Sequence, residues 1–94
     1  MKKKLRNLKI AIISREHSKR VQTALFSLGY HWSSKSTRHN HLGDNYLFVY
    51  SNGSICTGKG GEYFKKHANN EVSYEALQLM LRDIYDYSLT NEKE

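Results

Sequence analysis

Apolar residues along this 94-residue chain come in short dense groups separated by polar stretches. The first group, Leu8-Lys9-Ile10-Ala11-Ile12-Ile13, is β-branched with partial alternation, which predicts a strand preceded by a lysine-rich arm over 1–7. Ser14 can then cap a helix, Glu16 suits its positive first turn, and Val21, Ala24, Leu25 and Leu28 fall at the i, i+3, i+4, i+7 spacing of one helical face. A helix over 15–28 follows. Gly29 stands where a helix ends in a left-handed residue, and Tyr30-His31-Trp32 opens a second strand, with Trp32 anchoring the sheet.

Residues 33–45 are Ser, Thr, Lys, Arg, His, Asn, Gly and Asp with one leucine, so they predict an exposed basic loop. Tyr46-Leu47-Phe48-Val49-Tyr50-Ser51 is the strongest strand pattern, and Asn52-Gly53 predicts a two-residue hairpin turning back into Ser54-Ile55-Cys56-Thr57. Gly58, Gly60 and Gly61 mark a flexible exit, 62–70 reads as a polar connection holding Tyr63 and Phe64, and Glu71-Val72 allows a short edge strand. Ser73 caps the closing helix, expected over 74–87, with Val72 and Leu77 as a hydrophobic staple. Leu77, Leu81, Ile84 and Tyr85 form its apolar face. Ala76, Leu79, Met80 and Tyr87 widen it, which points to a sandwiched helix or to a homodimer seam along 74–87. Residues 90–94 are an expected mobile tail.

The order is therefore β-α-β-β-β-(β)-α. It predicts one α+β domain over 1–94, a small, largely antiparallel sheet with two helices packed on one face.

Length supports a single core. The lone Cys56 excludes an intrachain disulfide and a cysteine zinc site, and mid-strand it reads as a small buried hydrophobe. No apolar run reaches the roughly 20 residues of a membrane span and no signal peptide is read, so a cytoplasmic location is expected. Charge is uneven: residues 1–66 carry 13 Lys/Arg against three acids, a balance of +10, while 67–94 carry two against six, a balance of −4. A basic majority attracts phosphate or an acidic protein surface.

Signatures of catalysis fail on context. His39-Asn40-His41 places two histidines on one side of an extended segment, but zinc would need a third ligand such as His31 or Asp44. The run from Gly53 through Gly58 to Lys59 and Gly60 approaches a nucleotide P-loop, yet Gly60 replaces the magnesium-binding hydroxyl and a strand occupies the interval. Asp83 and Asp86 lack companion ligands and read as a solvated helix face. The expectation is a non-enzyme without cofactor or metal.

The densest basic region combines Lys2, Lys3, Lys4 and Arg6 with Lys9, Arg15, Lys19 and Arg20. Lys35, Arg38, His39, His41 and Lys59 extend it into the loop and hairpin, a pattern that neutralises phosphates without reading sequence. Tyr46, Phe48 and Tyr50 share one side of their strand, opposite Leu47 and Val49. If that side is open, its rings would stack on single-stranded bases, with Trp32 a further candidate; if it is core, Leu47 and Val49 meet a helix.

Leu28-Gly29-Tyr30-His31-Trp32, Asn45-Tyr46-Leu47-Phe48-Val49-Tyr50 and Glu71-Val72-Ser73-Tyr74-Glu75, in this order and spacing, resemble small bacteriophage-encoded accessory proteins of the Leu-Gly-Tyr-x-Trp α/β type. The resemblance covers roughly residues 18–80 and implies a fold, a phage origin and hence the cytoplasm of an infected bacterial host, with no catalytic residue carried across. It also implies action on host or defence components by binding. The expected function is a phage-type accessory protein binding an acidic partner, RNA or single-stranded nucleic acid first. The alternative is an inhibitor of a host or anti-phage defence protein, one that itself acts on RNA as a toxin or nuclease.

Overall fold

The computed structural model describes residues 5–58 and 60–92, with side chains through Asp83. Strand β1 (Leu8–Ala11) leads into helix α1 (Arg15–Leu28), followed by β2 (His31–Trp32), β3 (Tyr46–Val49) and β4 (Ser54–Gly58). A short helix α2 (Gly61–Lys66), a two-residue strand β5 (Asn70–Glu71) and helix α3 (Tyr74–Glu92) complete the chain. The α+β class and the element order follow the hydrophobic pattern. Helix α3 runs past the expected end at Tyr87 to Glu92, and α2 occupies part of the expected polar connection.

The five strands form one mixed sheet in the order β2-β4-β3-β1-β5. Antiparallel pairing of β3 with β1 and with β4 makes its centre, and β5 and β2 add in parallel at the two edges. Alternation sorts the side chains. Leu8, Ile10, Leu47, Val49 and Ile55 face one side, where they form a core with Val21, Ala24 and Leu25 of α1, Leu77 of α3, Tyr30 and Trp32. Both long helices thus pack on one face, as expected of Leu47 and Val49, and Trp32 takes its anchoring place.

Local chemistry fixes the ends. Ser14 Oγ accepts the His17 N–H at 3.0 Å, and Gly29 ends α1 at φ 114°, where a Cβ would be strained. Ser73 Oγ accepts the Ala76 N–H at 3.1 Å at the start of α3. The β3–β4 turn departs from the two-residue expectation. Tyr50 N–H bonds Ser54 O, Gly53 N–H bonds Tyr50 O, and Gly53 alone takes a positive φ of 95°, so the loop is the three-residue kind with a glycine bulge.

The opposite face of the sheet carries Tyr46, Phe48 and Tyr50, and α2 lies over it. Phe64 stacks on Tyr46 with centroids 4.5 Å apart, Tyr63 meets Phe48 edge-on at 5.4 Å, and His67 lies 4.5 Å from Phe48. Lys9, buried on this face, holds the cover down: its Nζ donates to the carbonyls of Phe64, Lys65 and His67 and sits 4.7 Å from the Phe64 ring centroid. A helix C-terminus leaves its last carbonyls short of intrahelical donors, and Phe64 O has a 3.3 Å bond from the His67 N–H, so the cation caps the end of α2. Lys9 therefore leaves the basic surface to which its sequence neighbours assigned it. Cys56 also corrects expectation: it stands opposite Phe48 in the β3–β4 register and is exposed.

Candidate nucleic-acid interface

Helix α1 buries Ser18, Val21, Gln22, Ala24 and Leu25, which turns Arg15, Glu16, Lys19, Arg20 and Thr23 outward. Lys19 lies 3.6 Å from Glu16, an exposed pair worth little. The 33–45 loop would be expected to wander, having almost no apolar residue. Instead it is bound along α1. Gln22, fully buried, accepts the Asn40 N–H at 2.9 Å through Oε1 and donates from Nε2 to Asn40 O at 2.7 Å. The same Nε2 donates to Ser18 Oγ at 3.0 Å. One side chain thus reads both polar groups of a main-chain unit, much as a neighbouring strand would.

Further contacts fix the loop on either side. His39 stacks on Phe26 at 6.0 Å and its Nε2 lies 2.7 Å from Thr23 Oγ1. The buried Trp32 donates its indole N–H to Arg38 O at 3.0 Å and packs against His41 at 5.1 Å. Arg15 lies alongside the far end of the loop, where a Cβ at Gly43 would be 3.7 Å from its Nη1. Lys35 and His41 adopt left-handed backbone at φ 66° and 50°, turning the loop at both ends.

The result is an exposed surface in which Arg15 and Lys19 of α1 lie beside the loop segment of Arg38, His39 and His41, while Arg20 stands further round the helix, on a groove with Tyr74 and Gln78 of α3. Lys35 is exposed in the turn that follows β2, closed by its N–H on Trp32 O at 2.7 Å. The acids on this surface are Glu16, beside Lys19, and Asp44, 3.8 Å from His41. Arg6 belongs elsewhere. Its backbone exchanges two hydrogen bonds with the Tyr30 hydroxyl, and the preceding Leu5 reaches Gly29, so it sits by the C-terminal end of α1, about 21 Å along the helix from Arg15. Lys2, Lys3, Lys4 and Lys59 lie outside the described residues.

The stacking residues require correction. Phe48 is 2 % exposed, enclosed by Tyr63, Phe64 and His67, and offers no ring face to a base. Tyr46 has its ring against Phe64, and the Tyr50 hydroxyl pairs with His67 Nε2 at 3.1 Å; both are half-buried. Burial, reinforced by Cys56 and Tyr63 nearby, raises the Tyr50 pKa above that of a free phenol. The aromatic side of β3 is an inner layer because α2 supplies Phe64 and Tyr63, the two aromatic residues of what the sequence reads as a polar connection. Trp32 is likewise buried.

Among the described residues no group of three His, Cys, Asp or Glu side chains is placed to hold a metal. His39 turns to Thr23, His41 to Asp44, and His31 Nδ1 lies 2.9 Å from Trp32 O, so the three histidines do not converge. Among the described residues no helix is long and apolar enough to cross a membrane. Compared with family models, with curated proteins and with solved structures, the chain matches none.

Proposed function

We propose that this chain is a non-enzymatic, phage-type accessory protein of the bacterial cytoplasm that binds nucleic acid, RNA foremost, through its phosphates. The observation that supports the reading is the clamp of Gln22 on Asn40. It holds the Arg38, His39 and His41 segment along α1, on the side of Arg15 and Lys19, so cations from two separate parts of the chain lie together, with Arg20 next round the helix. Guanidinium groups suit phosphate because their donors match its oxygens two at a time, and Lys19 adds a point charge.

With Phe48 enclosed and Tyr46 and Tyr50 engaged, base stacking is not the source of affinity. Binding is then set by charge: tolerant of sequence and strongly weakened by salt. The test is fluorescence anisotropy with a labelled single-stranded RNA and its duplex. Binding at low salt that is lost when Arg15, Lys19, Arg20 and Arg38 are changed to glutamine supports the reading. Absence of binding at low salt refutes it.

A further inference from the structure

On the far edge of the sheet from β2, pairing stops before the strand does. The Asn70 and Val72 N–H groups bond to the carbonyls of Asn7 and Lys9, both at positions whose backbone groups point toward β5. Alternation sends the N–H and C=O of Ala11 to that same side. There the neighbouring strand has ended, because β5 closes at Glu71 and the chain leaves through Val72 and Ser73 into α3. On its other side β1 stays paired, with Ile12 N–H on Asn45 O at 2.7 Å.

The space beside Ala11 is a cleft of about 540 Å³. Ile13, at its mouth, is 83 % exposed, more than any other large apolar residue described. Tyr74 and Val72 supply apolar wall, and His17 meets the Tyr74 ring edge-on at 6.4 Å, its Nδ1 accepting the Ile13 N–H at 3.2 Å. Glu71 and Glu75 stand on the rim, and no described cation pairs with either. In a chain of net charge +6 this is a locally acidic, apolar strand edge, opposite in character to the α1 surface.

We infer that this edge is a docking site for an extended, lysine- or arginine-bearing protein segment, added as a further strand beside Ala11 to Ile13. Main-chain hydrogen bonds to Ala11 would hold the segment, an apolar side chain would cover Ile13, and its basic side chains would meet Glu71 and Glu75. The charge of the rim selects against nucleic acid and against acidic peptides. The site is independent of the phosphate-binding surface, so either reading can fail without the other.

The test is titration of the full-length, 15N-labelled protein with a capped hexapeptide of alternating lysine and valine, followed by amide shifts. Saturable shifts centred on Ala11, Ile13 and Val72 are expected. Binding should weaken about three- to tenfold in a Glu71→Gln, Glu75→Gln variant, in line with two exposed ion pairs. It should be lost when alternate peptide amides are N-methylated. Both glutamates are exposed, so the variant keeps the fold, which its amide spectrum verifies. Shifts that fall on other residues, equal binding of the glutamate-valine counterpart, or affinity unchanged in the double variant would overturn the inference.

Discussion

Replacing Gln22 with leucine tests whether one buried amide holds the basic loop on its helix. Leucine nearly conserves volume, so the packing around Ser18, Val21 and Leu25 is little disturbed. What goes are the hydrogen bonds to Ser18 Oγ, Asn40 O and Asn40 N–H. Each is worth about 0.5–1.5 kcal/mol net. Asn40 is exposed and its groups regain water, whereas Ser18 is fully buried, so the sum falls in the middle of the range, about 2–3 kcal/mol. For a domain of this size a loss of 1 kcal/mol lowers Tm by about 4–8 °C, so calorimetry should show a fall of about 8–24 °C. Hydrogen exchange supplies a local readout: amides of 38–41 should exchange faster relative to those of β3. A fall in Tm of less than about 3 °C, or unchanged exchange at Asn40, would refute the clamp.

Two further predictions concern the other face and the pH response. Lys9→Met keeps the length of the side chain but removes a charge-assisted donor from three carbonyls, and should cost about 2–4 kcal/mol in urea denaturation while accelerating amide exchange in α2; unchanged stability would show that α2 docks without it. Burial raises the Tyr30 pKa above 10.0, against the opposing influence of the Arg6 backbone hydrogen bond and charge. Between pH 10.0 and that raised value the unfolded chain has released a proton that the folded chain keeps. Stability from this group is therefore complete below the unfolded pKa and declines as pH rises through the folded one. Denaturant midpoints from about pH 9 to about pH 11 should fall more steeply in the wild-type protein than in Tyr30→Phe, and parallel curves would contradict the assignment.

The sequence showed the sheet and its two long helices plainly, because each rests on signals local to itself: the apolar face of Val21, Leu25 and Leu28, the caps Ser14 and Ser73, and the glycine stop at Gly29. Helix α2 was hidden. Six residues opening on a glycine have no useful periodicity, and its stability comes from Lys9, more than fifty residues earlier, and from the rings of β3. The same long-range pairing inverted two readings, taking Lys9 out of the basic surface and Phe48 out of reach of a ligand. Gln22 gave a faint signal in standing one turn after Ser18, beside an apolar face. Nothing local named Asn40 as its partner, since that contact depends on where the loop returns. Alternation along β3 correctly divided Tyr46, Phe48 and Tyr50 from Leu47 and Val49, but alternation does not say what covers each side.

The central claim is that Arg15, Lys19, Arg20 and Arg38 act together on phosphate, and the salt dependence of RNA binding measures this most directly. At about −0.7 per neutralised phosphate on a single strand, four cations contribute about −2.8 to the slope of log affinity against log salt. Between about 50 and about 200 mM salt that contribution is roughly a 50-fold loss of affinity. The wild-type slope should exceed that of the fourfold glutamine variant by about this amount. Equal slopes, with affinity unchanged at low salt, would contradict the account.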